Sequence, residues 1–198
     1  LPERAPSTVF LDIQPDMADR FRQIVEDDPQ AGILELTPYL RARVVRIDGV
    51  PAEEAEIDPG AEWTLERDRG ITWRAMPPPD EEMTAGEWWP ADYDGPVLVA
   101  VEDETAIEYG VGVGDTLAFN VLGRVLTAEI AALRPEIDWS SGQLAFLFTF
   151  SPGVISNAPH SFIAAVDVPP AARPDLLQRI NAELPTVTPV LIDEAIAA

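Results

Sequence analysis

The feature that most constrains the fold is a strand, proline, helix, strand succession that occurs at both ends of the chain. Near the start, Thr8 to Ile13 is β-branched and apolar, and Gln14-Pro15 ends it by placing proline where the first turn of a helix tolerates a missing N–H. Met17, Phe21, Ile24 and Val25 then recur at helical spacing as one apolar stripe, with Asp19, Arg20, Arg22 and Glu26 facing water. Asp28-Pro29 stops that helix. Ile33 to Leu36 and Arg41 to Ile47 read as strand, with Arg41, Arg43 and Arg46 marking a solvated face, up to a turn at Asp48-Gly49. Near the end, Phe162 to Val168 is a strand, and Pro169-Pro170 opens a helix carrying Leu176, Leu177, Ile180 and Leu184. Thr186 to Ile192 follows as a strand, and Ile192 to Ala198 resembles the start of a further helix. Two β-α-β units around a long insertion predict a ferredoxin-like sheet, with both helices on one face and both chain ends at one edge.

The insertion, Val50 to Pro159, is strand-rich and punctuated by Pro77-Pro78-Pro79, Pro90, Gly95-Pro96 and Pro152-Gly153, which predicts a second, mostly β lobe. Trp63 and Leu65, then Ile71 and Trp73, alternate with polar neighbours across Asp68-Arg69-Gly70, a hairpin signature. Glu102 to Tyr109 reads as a short helix with Ala106 and Ile107 apolar, its acidic start matching the helix dipole and Gly110 placed as a left-handed C-cap. Gly112 and Gly114-Asp115 turn the chain into a hairpin of Thr116 to Val121 and Val125 to Leu133, separated by Gly123-Arg124. Leu144 to Phe150 is a continuous apolar run suited to a strand buried on both sides. The fold class is therefore α+β. A split ferredoxin-like lobe spans 1–49 and 160–198, and an inserted mostly β lobe spans 50–159.

Charge and composition narrow the chemistry. Thirty-five carboxylates against thirteen arginines and no lysine give a net charge of -22, which repels nucleic acid and anionic headgroups over most of the surface. Absence of lysine removes Schiff-base chemistry, and absence of cysteine removes disulfides, thiolate catalysis and cysteine-bound metal. The hydrophobic fraction of 46% within 198 residues predicts one folded unit with two lobes and a real core. The chain begins at Leu1 and reads as an excised piece. No run approaches the ~18 apolar residues of a membrane helix, so any anchor or export signal is expected outside the stretch.

Catalytic readings find little support. His160 is the sole histidine, flanked by Ser156 and Ser161, but no G-x-S-x-G elbow accompanies it, so no catalytic residue is assigned. The carboxylate runs Glu53 to Asp58, Asp80 to Glu82 and Glu102 to Glu104 lack the spacing that wraps calcium and read as solvated loops and helix starts, so no metal site is assigned. Gly110, Gly112 and Gly114 follow a helix and precede a strand, the reverse of a dinucleotide loop. Aromatic residues give the one site expectation: Trp88, Trp89, Tyr93, Phe146, Phe148 and Phe150 lining an apolar groove for acyl chains or a lipid-linked peptide. If Trp88-Trp89 lies on a strand, one of the two points away from its own core.

The order of landmarks FLDIQP, GEWWP, VEDETAIEYGVGVGDTLAFNVLG, LRPEIDW, an aromatic run, SPGVISNAP and a closing β-α-β resembles a periplasmic domain of the FtsX/MacB-like ABC transporter permeases, of the YbbP type. The resemblance covers nearly the whole chain. It implies a ferredoxin-like porter lobe with an inserted β lobe, on the periplasmic side of the bacterial inner membrane and continuous with the permease's own transmembrane helices. It further implies a separate cytoplasmic ATP-binding subunit, no cofactor in this domain, no enzymatic activity, and transmission of ATP-driven motion to hydrophobic, lipid or lipoprotein cargo. A periplasmic esterase or thioesterase is an implied partner. Where the family carries Asn-Phe-Phe after an Asp-Trp pair, this chain has Ala145-Phe146-Leu147-Phe148 after Asp138-Trp139, which departs from the pattern at the Asn. The alternatives are a soluble periplasmic hydrolase, or an accessory module that docks a partner.

Overall fold

The computed structural model describes residues 8–138 and 144–191. Trp139 of the Asp138-Trp139 pair and the helix expected over Ile192 to Ala198 lie outside the described residues. In chain order the first elements are β1 (Thr8–Ile13), α1 (Ala18–Glu26), β2 (Gly32–Ile47), β3 (Val50–Pro51), α2 (Trp63–Glu66), β4 (Arg69–Trp73) and β5 (Ala85–Gly86). Next come β6 (Leu98–Glu102), α3 (Asp103–Tyr109), β7 (Thr116–Val121), β8 (Arg124–Arg134) and β9 (Phe148–Phe150), then β10 (Ser161–Asp167), α4 (Arg173–Glu183) and β11 (Thr188–Leu191). The chain divides into two compact units. One holds the described residues up to Tyr39 and from Pro159 onward, with parts of 138–145; the other holds Leu40–Ile137 and Phe146–Ala158. The division falls within β2, whose first half pairs in one unit and whose second half pairs in the other, rather than at the Asp48-Gly49 turn.

In the first unit the strands lie in the order β11-β1-β10-β2, every neighbouring pair antiparallel. Phe10, Ile13, Ala164 and Val166 point to one face of this sheet, where α1 and α4 cover them with Phe21, Ile24, Val25, Leu176 and Ile180. Phe10 meets Phe21 edge-on at 5.2 Å. Arg20 of α1 clasps Glu183 of α4 with both ends of its guanidinium, at 2.5 and 2.6 Å. Thr8 stands opposite Leu191 on adjacent strands, so the chain enters and leaves this unit at one end. The second helix begins at Arg173, later than Pro169-Pro170, with Pro174 in its first turn.

The second unit is a ring of strands. The second half of β2 pairs with β7, β7 with β8, β8 with β6, β6 with β9, β9 with β4, and β4 again with β2. Two of these pairs, β4 with β9 and β6 with β8, are parallel. Alternation puts Leu40, Ala42 and Val44, Ile71 and Trp73, Val99 and Val101, Leu117, Phe119 and Val121, Ala128 and Ile130, Phe148 and Phe150 into one core, as an inward-facing face of a closed sheet requires. Helix α3 packs Ala106 and Tyr109 against it, and Gly110 caps that helix at φ 72.

Four local expectations are corrected. Trp63 to Glu66 is a helical turn and not a strand, so no hairpin spans Asp68-Arg69-Gly70. Asp58 accepts from Gly60 N–H to start a 3-10 turn, and Thr64 donates to the Ala61 carbonyl to carry it on; alternation over four residues is too short to distinguish the two periods. Ile107 is 74% exposed, and it is Thr105, Ala106 and Tyr109 that α3 buries. In the apolar run only Phe148–Phe150 is strand, with Thr149 facing outward to accept from Arg134. The β7–β8 turn falls at Leu122-Gly123, one residue earlier than expected.

Candidate functional site

The site begins with a close approach of backbone to backbone. Gly86 has φ +66, and a Cβ there would lie 2.2 Å from the Ala131 carbonyl oxygen, so only glycine lets β5 run this close beside β8. Hydrogen bonds from Thr84 N–H to the Leu133 carbonyl and from Glu87 N–H to the Ala131 carbonyl fix the segment there. Beyond β5 the chain carries Trp88-Trp89 over the outer side of β6 and β8, where Ala100 and Ala132 are fully buried and small enough to seat an indole. Trp89 is buried, and Trp88 is half-buried.

Both indoles are oriented by backbone carbonyls. Trp89 Nε1–H donates to Arg74 at 2.8 Å and Trp88 Nε1–H to Ala75 at 3.2 Å, while the two rings lie 4.2 Å apart with 33° between their planes. The alternation of faces expected for adjacent residues of a strand does not apply, because both follow β5 in irregular backbone and stack on each other. Met83, Tyr93, Leu98 and Ala131 complete the cluster, and the Tyr93 hydroxyl donates to the Pro96 carbonyl at 2.5 Å. With its polar atoms directed to backbone, the cluster presents carbon surface: it suits an apolar ligand and holds no nucleophile or base.

The phenylalanines lie elsewhere. Phe148 and Phe150 point into the ring, edge-on to Phe119 at 5.0 and 4.9 Å, and Phe146 is buried. The structure therefore brings Trp88, Trp89 and Tyr93 together and sends Phe148 and Phe150, alternate residues of an inward-facing strand, into the ring core; Phe146 precedes that strand and is not part of the tryptophan cluster. Met83 and Leu98 lie close to the tryptophans in the chain, but the irregular backbone between β5 and β6 carries no periodicity that marks them as partners.

One flank of the cluster is charged. Arg134, at the end of β8, holds Glu81 in a bidentate pair at 2.8 and 3.0 Å and donates to Thr149 Oγ1 at 2.8 Å. Glu102 is buried, accepting from Thr105 Oγ1 at 2.8 Å and from the Ile137 N–H at 2.9 Å, so this carboxylate ties α3 to the segment after β8. A hydrogen bond with Glu136 raises the Glu104 carboxyl above its ordinary value. The Ser156 hydroxyl donates to the Gly153 carbonyl, and His160 packs near Phe162 at 5.7 Å. No group of three or more His, Asp or Glu side chains among the described residues is placed to hold a metal ion. No described helix is long and apolar enough to cross a membrane.

No family model matches the chain. The decisive observation is a relative. Over 188 residues the chain is 24% identical to a protein of Escherichia coli (strain K12) described as an uncharacterized ABC transporter permease, YbbP. This likeness supports a relation to the ABC transporter permeases. It takes in 95% of the present chain and 22% of the permease, so the chain spans about a fifth of the relative it matches.

Proposed function

We propose that this chain is a periplasmic domain of an ABC transporter permease, which carries motion driven by a cytoplasmic ATPase to hydrophobic, lipid or lipoprotein cargo. The observation that carries this reading is the match of almost the whole chain to a fifth of a permease, as a domain inserted in a larger membrane protein would give. The pairing of Thr8 with Leu191 supports it, because a domain tethered at both ends to one membrane needs its two connections to leave on the same side. We read the first unit as the ferredoxin-like porter lobe and the second as the inserted β lobe. The antiparallel order β11-β1-β10-β2 with two helices on one face supports that assignment.

Cargo contact falls to the tryptophan cluster, with Trp88 as the accessible ring. Two tests separate the parts of this reading. The full-length protein, extracted from membranes, is expected to bring down a separate ATPase subunit; recovery from a soluble fraction without one would overturn the permease reading. A fluorescent long-chain acyl probe is expected to bind the 198-residue chain, and Trp88→Ala to weaken that binding about tenfold, a loss of about 1.4 kcal/mol. Unchanged binding in a variant that still folds would remove Trp88 from the cargo site.

A further inference from the structure

The β7–β8 hairpin ends in an apolar residue held in a conformation that apolar residues avoid. Leu122 has φ 51 and Gly123 φ 85, the two left-handed positions of a tight turn, where asparagine, aspartate and glycine are favoured. The Gly123 N–H is tied to Asn120 Oδ1 at 2.9 Å, which fixes the turn. Leu122 and Val125 are each 62% exposed, so packing inside the chain gives no reason for either.

The surroundings of this tip are basic in a chain of net charge -22. Arg124 is exposed beside Gly123 at the turn, and the outer row Val125–Asn120–Arg43 runs across to β2, where Arg41, Arg43 and Arg46 are all exposed. Arg43 is shared with Asp68 at 3.2 Å, and Arg46 donates to the Gly49 carbonyl at 3.4 Å. Arg41 and Arg124 have no ion pair among the described residues. Arg43 thus shares the outer row of Val125, Arg41 follows two residues along β2, and Arg124 stands at the turn within two residues of Leu122.

We propose that this hairpin tip is a docking element for an anionic lipid surface, with Leu122 and Val125 entering the acyl boundary and the arginines lying among the headgroups. Apolar insertion and arginine attraction are both short-ranged here, while the acidic remainder is repelled, so the chain is presented tip first. This inference rests on the tip alone and not on the permease reading.

The test is co-sedimentation of the 198-residue chain with vesicles of phosphatidylcholine alone and of phosphatidylcholine mixed with phosphatidylglycerol. Binding is expected to the mixed vesicles, weakened about tenfold by Leu122→Asn and about fivefold by Arg124→Ser. Asparagine suits the left-handed position, so Leu122→Asn is expected to melt no lower than the parent chain, and lost binding then reports the tip and not the fold. Equal binding to both vesicle types would overturn the anionic specificity. Absence of binding, or binding indifferent to Leu122→Asn, would overturn the proposal and leave the tip to a protein partner.

Discussion

At the scale of single residues, the second unit is pinned by buried polar groups whose partners are fixed. Thr64 uses its one hydroxyl proton on the Ala61 carbonyl, so the Tyr109 hydroxyl, 2.5 Å away, is the donor to Thr64 Oγ1. Burial pushes the Tyr109 phenol from its ordinary value of 10.0 up to about 12, with the Arg69 charge offsetting part of the rise. The neutral phenol is the form the fold prefers. Its contribution is therefore complete below pH 10 and lost as pH rises through about 12. Tyr109→Phe is expected to lose about 1 kcal/mol at neutral pH. Because the variant has no phenol to ionise, the stability of the parent chain should fall relative to it between those two values. Parallel pH profiles in chemical unfolding would show that Tyr109 ionises freely.

At the scale of elements, what could be read in advance was what local sequence controls. The strand Thr8–Ile13, the helix with Phe21, Ile24 and Val25 inside it, the helix ending at Gly110 and the hairpin after Asp115 were all legible from periodicity and turn chemistry. Trp63 and Leu65 misled because four residues cannot separate a period of two from a helical turn. Closure of the ring was hidden: the parallel pairs β4 with β9 and β6 with β8 join segments far apart in the chain, and no local pattern encodes them. The tryptophan pair was visible as a feature, but its seat on Ala100 and Ala132 was not, since small residues inside strands read only as weak strand formers. Gly86 is the element on which that seat depends. Gly86→Ala is expected to cost at least about 2 kcal/mol, from left-handed strain plus displacement of β5 from β8, and to shift tryptophan emission to the red. Gly49→Ala has a similar φ of +82 but open space around its Cβ, and should cost only about 1 kcal/mol. Equal losses at the two positions in urea unfolding would mean that the approach to Ala131 is not what holds β5.

At the scale of the whole molecule, the function proposed above asks the domain to pass on motion between two ends. One unit presents entry and exit at a single end, and the other is a closed ring with an aromatic patch on its outside. The central claim is that this domain belongs to a membrane permease and lies outside the cytoplasm. Because this stretch contains no cysteine, single substitutions within it report location cleanly once any cysteines elsewhere in the full-length protein are replaced. Val154 is 70% exposed and Val25 fully buried, so Val154→Cys in the full-length protein, with Val25→Cys as its control, can be labelled with a membrane-impermeant maleimide on cells whose outer membrane alone has been opened. Labelling of Val154→Cys with the inner membrane intact, and of Val25→Cys only after denaturation, is the expected result. Labelling of Val154→Cys only once the inner membrane is broken would put the domain in the cytoplasm and contradict the claim.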